Sequence, residues 1–402
     1  MSAVRRLASI VALALMACVP ATADATKKVT VPPPLTNPQP APTPSAFEGD
    51  GMWIWYVNQS SGGTAASIAK RAQASGIETL FIKSSDGRKY WSQFNSKFVR
   101  TLKSYGLHVC GWQYVYGRNP ATEAKVGGNA VKNGAECLVI DAEAEYEGKY
   151  AAASTYMRKL RAYAGENFPI GLAGFPYVDY HPAYPYSVFL GPGGAQFNVP
   201  QMYWKAIGVS VDRIYSHTYT YNEIWGRPIA PLGQTWLAPS RSDLMRFRDM
   251  ASAYGAPGLS WWSWQSTTST GWSTLAKDTT PVNAATSPSP VAPTLSKGSK
   301  GDMVVWAQQH LLAAHKSVKV NGVFDSRTLK AVQSFQRGKH LKVTGRIDVA
   351  TWQNLLARAP AKVQWSRAAV SAKPTAGGGF TSPEPASAKL PALMYEIPPK
   401  KH

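Results

Sequence analysis

The sequence predicts an α/β chain: a (β/α)8 TIM-like barrel followed by a small all-α three-helix bundle. Three observations carry this. Eight short apolar runs recur between residues 51 and 265, and helical stretches separate most of them. No glycine-rich phosphate loop follows the first run, which disfavours an open doubly wound sheet. Near the C-terminus, "GVFDSRT" (322–328) and "GRIDVAT" (345–351) repeat the pattern Gly-x-apolar-Asp-x-x-Thr. Each copy reads as a turn on Gly, an anchoring apolar residue, and an Asp or Thr cap opening a helix.

The strand-like runs are "GMWIWYV" (51–57), "TLFIKSS" (79–85), "HVCGWQYV" (108–115), "CLVIDAE" (137–143), "IGLAGFPY" (170–177), "NVPQMYW" (198–204), "IAPLGQTW" (229–236) and "GLSWWSWQ" (258–265). The clearest helices are 63–76 and 149–165. A third, 240–255, begins with Ser caps. In the small segment, apolar residues recur at three and four, including Val304, Leu311, Leu329, Val332 and Phe335.

Composition sets the outer organisation. Arg5 and Arg6 precede "LASIVALALMA" and then "ATADA", the pattern of a signal peptide over residues 1–24. The run is too short to span a membrane, so the mature chain is expected to be secreted, membrane-free and monomeric. General export, twin-arginine export and lipoprotein processing at Cys18 stay open. Residues 25–46 are a Pro-rich tether, 47–276 the barrel, 277–296 a Pro/Ser/Thr linker, 297–358 the bundle and 359–402 a disordered basic tail.

Net charge is +20 and is unevenly spread. Residues 277–402 hold 18 Lys and Arg against 6 Asp and Glu, whereas residues 47–276 hold 21 against 16. A basic exported chain more often meets anionic wall polymer than nucleic acid, so no nucleic-acid partner is expected. Cys110 and Cys137 lie in consecutive strands. Neighbouring barrel strands rarely suit a disulfide, so two buried thiols are favoured over a bridge.

Working residues of such barrels sit at the C-terminal ends of strands. Those ends hold Lys83 and Asp86, then Gln113 and Tyr114, Asp141 and Glu143, Tyr177, Gln201, Tyr203 and Trp204, Gln234 and Trp236, and finally Trp262 and Trp264. Amides and flat aromatic faces suit sugar hydroxyls and rings. Alternation puts Asp141 and Glu143 on one side of the fourth strand, with Cα atoms about 6.6 Å apart. Two close carboxylates push one pKa up, which pairs a protonated acid with an ionised one. Glu143, the outer residue, is assigned as the general acid and Asp141 as its stabilising partner. Gln113, Tyr114, Tyr177, Gln201, Tyr203, Trp204, Gln234, Trp262 and Trp264 are assigned to substrate binding. Glu145 and Glu147 are placed in the following loop as exposed acids near a helix start. The loop "FPYVDYHPAYPYSVF" (175–189) is read evenly as a cleft wall or as a packed support. No metal or other cofactor is expected, because no second His follows His181 at ligand spacing.

The strand-four "VIDAE", with "QMYW" and "SWWSW", resembles the glycoside-hydrolase-like barrels of bacterial Chalaropsis-type cell-wall lysozymes and, more distantly, chitinases. The resemblance implies Glu143 as proton donor, Asp141 as its partner, and the substrate's acetamido group as nucleophile. Those lysozymes carry an Asp at the end of strand one, where this chain has Trp55, Tyr56 and Asn58. Two functions are therefore open: muramidase-like hydrolysis, or glycan binding without cleavage. The small segment closely resembles the bacterial peptidoglycan-binding domain through "KGSKGDMVVWAQQHL", "NGVFDSRTLKAVQSFQ" and "VTGRIDVATWQNL". That resemblance implies a non-catalytic module holding its owner to peptidoglycan or another cell-wall glycan. Arg327, Gln336 and Arg337 are its candidate surface residues.

Overall fold

The computed structural model describes residues 46–278 and 291–365. The expected signal peptide, most of the tether, the middle of the second linker and most of the tail lie outside the described residues.

Eight parallel strands form the barrel: β1 (Gly49–Ile54), β2 (Thr79–Asp86), β3 (His108–Val115), β4 (Leu138–Ala142), β5 (Ile170–Ala173), β6 (Phe197–Asn198), β7 (Leu232–Gln234) and β8 (Gly258–Trp262). Pairing runs β6-β5-β4-β3-β2-β1-β8-β7. Parallel bridges Asn198–Ile229 and Gln201–Leu232 join the two ends of that order. Neighbouring strands are joined by crossovers, the arrangement that the alternation of apolar runs and helical stretches predicts.

Helix starts follow from local chemistry. Thr64, Asn95, Asn119, Ser210, Ser240 and Thr268 each accept a hydrogen bond from a backbone N–H of the first turn. These caps satisfy donors that have no partner inside the helix. Pro120 occupies the first turn after Asn119, where its missing N–H costs nothing.

Two apolar layers result. Inside the barrel lie Trp53, Phe81, Cys110, Trp112, Cys137, Val139, Ala173 and Leu232, all buried. The second layer lies between strands and helices and includes Ile54, Leu80, Ile82, Val109, Leu138 and Ile140. Alternate residues of one strand therefore face different layers.

The expectation of two free thiols is overturned. Cys110 and Cys137 form a disulfide, with Cα atoms 4.7 Å apart. Gly111 is in register with Leu138, so the preceding residues are direct neighbours on adjacent strands. Both side chains point inward, and the spacing between paired strands brings the sulfurs together.

The bundle's helices are Asp302–Ala313, Ser326–Gly338 and Val349–Leu356. The sequence repeat becomes a structural repeat. Asp325 accepts from the N–H of Thr328, and Asp348 from that of Thr351. Gln308 Oε1 accepts from Gly322 N–H, while its Nε2 donates to Thr328 Oγ1. Gln336 does the same with Gly345 and Thr351. Gln336 is fully buried. It is a tie between helix and turn, not the surface candidate that polarity suggested.

The bundle packs on the barrel. Asp302 is buried and accepts from Ser187 N–H at 2.9 Å and Ser187 Oγ at 2.5 Å. Its own N–H donates to Pro182 O, and Trp306 meets Trp225 edge-on at 5.1 Å. The 175–189 loop is the platform for this contact. Tyr184 donates to Ala142 O, Tyr186 donates to Phe175 O, and both rings are buried.

Candidate active site

The C-terminal ends of the strands surround a cleft of about 300 Å³. Its floor holds two carboxylates. Asp141 is the last residue but one of β4, and Glu143 follows it two residues later, 7% and 6% exposed. Because Cys137, Val139 and Asp141 share one face, Asp141 continues the inward row into the mouth. Gln201 Nε2 donates to Asp141 Oδ1 at 3.1 Å and to Glu143 Oε1 at 3.0 Å. One amide thus orients both acids.

Burial is the main electrostatic influence on the pair. It drives Asp141 well above the usual carboxylate range, and the charge of Glu143 adds to this, while Lys83 opposes it. Glu143 is pushed up to about 7, first by burial; hydrogen bonds from Gln201 and with Asp141 act the other way, and Glu145 adds to the rise. The two titrate together, and the pair holds a proton near neutrality.

A second set of acids stands on the rim. Tyr114 donates to both oxygens of Glu145, at 3.0 and 2.9 Å. Lys83 Nζ is 2.8 Å from Asp86 Oδ2, and Tyr116 donates to Asp86 Oδ1 at 2.9 Å. Lys83 is 1% exposed and lies over the rings of Trp55, Trp112 and Trp91, at 4.5, 4.3 and 5.1 Å. Indole faces and one carboxylate replace the water that this ammonium has lost. The aromatic wall is Trp55, Trp112, Tyr203, Trp236 and Trp262.

Of the residues assigned from sequence, Asp141, Glu143, Tyr114, Gln201, Tyr203 and Trp262 come together here. Five others do not. Gln113 is the outward neighbour of Tyr114; it donates to Gly87 O and Glu123 O and accepts from Tyr156. Tyr177 packs on His217, Trp204 on Phe247, and Trp264 on Trp272. Gln234 accepts from the N–H groups of Lys205 and Ala206, holding the start of a short helix. Strict alternation would have separated Gln113 from Tyr114. Nothing local in the sequence signals that the chain turns helical at Trp204 and Trp264.

Glu145 needs a correction. It is half-buried and lines the cleft, because the chain after Glu143 makes a 3-10 turn, Ala144–Tyr146, that folds it back over Tyr114. Glu147 is exposed and pairs with His181 Nδ1 at 2.8 Å. Lys83, Asp86 and Trp236 were visible as strand-end residues; Trp55 and Trp112 gave no signal beyond their aromatic character. Glu123 is a buried acid of another kind. Its carboxylate accepts from the four consecutive N–H groups of Tyr116 to Asn119, and so fixes a loop.

No curated protein matches the chain. Among solved structures, it is similar to a chitinase from Chromobacterium violaceum, at 12% identity and TM-score 0.43, covering 57% of this chain and 98% of that one. It is also similar to the Bacillus cereus spore cortex-lytic enzyme SleL, at 12% identity and TM-score 0.43, covering 59% of this chain and 75% of that one. Residues 300–355 match the family described as "Putative peptidoglycan binding domain". The matched span contains the first two bundle helices, the third as far as Leu355, and both Gln–turn–Asp repeats, so the chain carries a C-terminal domain of the peptidoglycan-binding family.

Proposed function

We propose that this is an exported, cell-wall-associated protein that binds peptidoglycan through its bundle and hydrolyses a glycosidic bond in it, or in a related N-acetylated glycan, within the barrel cleft. The observation that carries the catalytic part is the buried Asp141–Glu143 pair under one shared Gln201 amide, at the foot of an aromatic wall. In this reading Glu143 gives its proton to the glycosidic oxygen. A carboxyl held up to about 7 is protonated in slightly acidic to neutral solution, as a general acid must be. As the bond to the leaving sugar breaks, positive charge grows on the anomeric carbon; Asp141, ionised once the pair's single proton has gone with the leaving oxygen, faces that charge, and water then bonds to the carbon and returns one proton to the pair. Trp55, Tyr203, Trp236 and Trp262 offer ring faces to the sugars on either side. Export is supported by the N-terminal basic and apolar pattern, and by a disulfide inside the barrel.

The test uses the full chain and purified peptidoglycan sacculi. Release of reducing ends is expected, together with co-sedimentation. Glu143→Gln should abolish release while leaving the circular dichroism spectrum and sedimentation unchanged. Sedimentation without any released sugar would sink the hydrolase reading and leave a glycan-binding protein.

A further inference from the structure

A second cavity, of about 660 Å³, lies between the barrel and the bundle and shares no lining residue with the cleft. Asp179, His181, Tyr221 and Trp225 line it from the barrel, Pro293 and Met303 from the bundle's side. Three buried polar atoms of this lining have no hydrogen-bond partner among the described residues: Asp179 Oδ2, His181 Nε2 and Trp225 Nε1. The Asp179 side chain is 2% exposed and Trp225 is 4% exposed. Each group is held from behind. Asp179 Oδ1 accepts from His217 Nε2 at 2.9 Å. His181 stacks on Phe175 at 3.6 Å and turns Nδ1 to Glu147, and Trp225 packs on Tyr186 and Trp306. A buried polar atom without a partner is rare in a folded protein, and three around one cavity point to a ligand.

The three atoms define what that ligand must offer. A carboxylate oxygen accepts, an indole N–H donates, and an imidazole nitrogen does either according to its tautomer. The acids around the cavity already have partners: Asp179 has His217, Glu147 has His181, and Asp302 has both Ser187 donors. Lys300, also in the lining, is exposed to solvent. A neutral ligand with one donor beside one acceptor therefore fits best, and the half-buried Tyr221 with Pro293 and Met303 gives it apolar surface. We propose that this cavity is a second glycan site, taking one N-acetylated amino-sugar unit. The acetamido N–H donates to Asp179, its carbonyl oxygen accepts from Trp225, and a ring hydroxyl meets His181. This deepens the wall-binding half of the proposed function and does not depend on cleavage in the cleft. Because both domains line the cavity, a sugar bound there also stabilises their docked arrangement.

The experiment follows hydrogen exchange in the full chain carrying Glu143→Gln, which keeps the probe uncut. The probes are an N-acetylglucosamine dimer, a glucosamine dimer and a glucose dimer of the same linkage. The N-acetylated dimer should protect residues 178–182 and 221–225, and the other two should need about tenfold more sugar for the same protection. Asp179→Asn and Trp225→Phe should each raise the midpoint at these segments about tenfold while leaving that of residues 138–145 unchanged. Trp225→Phe keeps an aromatic ring against Trp306, so the domains stay docked. Protection confined to the cleft segment overturns the second site and leaves the cleft reading intact. Protection confined to 178–182 and 221–225 supports the second site and removes the glycan reading of the cleft. A glucose or glucosamine dimer that protects as well as the N-acetylated one overturns the acetamido assignment, and unchanged midpoints in both variants overturn the site. Absence of protection at both places overturns the two glycan readings together.

Discussion

Asp141 and Glu143 are held by the same donor: Gln201 Nε2 lies 3.1 Å from an oxygen of the first and 3.0 Å from an oxygen of the second. The amide sits across the mouth from β4, just after β6, so its position depends on barrel closure through the Gln201–Leu232 bridge. Replacing it with Met keeps the volume and removes the donor. Gln201→Met should lower sugar release by about a hundredfold, because both acids lose their orientation. Stability should change by about 1–3 kcal/mol, the cost of leaving buried acceptors unmet. Single-turnover release and urea unfolding measure the two effects separately; full activity in this variant would remove Gln201 from the mechanism.

Activity should fall as pH rises through about 7, where Glu143 loses its proton. Stability follows the same sign. The folded-state pKa of Glu143 stands above its ordinary value of 4.5, so the native state binds more protons than the unfolded one between those limits. The stabilisation is complete below about 4.5 and is lost as pH rises through about 7. Glu143→Gln should flatten this part of the stability profile, which denaturation series at several pH values would reveal.

Removing Lys83 should move the activity profile. Its positive charge holds the pKa of Asp141 down, against burial and Glu143. Because Asp141 and Glu143 titrate together, Lys83→Met should displace the alkaline limb of sugar release to higher pH. It should also destabilise the fold by about 1–3 kcal/mol, since the half-buried Asp86 loses its charged hydrogen-bond donor. An unshifted limb in a folded variant would show that Lys83 serves packing alone.

Asp302 joins the bundle to the barrel through Ser187 and Pro182. Asp302→Ala leaves the Ser187 N–H and hydroxyl without their acceptor, a loss of about 1–3 kcal/mol for each. The expected outcome is an undocked bundle with both domains folded. Small-angle scattering should show a larger radius of gyration, and proteolysis should cut between the domains. A scattering profile identical to the wild type would show that apolar contacts such as Trp225–Trp306 suffice.

The disulfide closes a loop of 27 residues. Loop-closure entropy for that length gives about 3–4 kcal/mol. The Cys110→Ala/Cys137→Ala variant should unfold at a correspondingly lower urea concentration than the oxidised protein. Equal midpoints would mean that the bridge adds no stability.

Local order was legible because it follows from chemistry within a few residues. Apolar runs marked the eight strands, Ser240 marked a helix start, and the Gly-x-apolar-Asp-x-x-Thr repeat marked both capped turns of the bundle. The Asp-x-Glu spacing, read with period two, put Asp141 and Glu143 at the mouth. What failed depended on partners far away in sequence. Gln113 and Gln234 looked like ligands until the backbone groups they satisfy came into view, and Glu145 looked like a loop acid until a tight turn returned it to Tyr114. The pairing of Cys110 with Cys137 needed strand register, and the docking of Asp302 on Ser187 needed the relation of two domains. By itself the sequence determined the periodicities, the caps and the identity of the carboxylate pair, because these rest on neighbours along the chain. Only the tertiary structure decided which polar groups face solvent and which are consumed by the fold, because a buried hydrogen bond is settled by whatever packing brings within 3 Å.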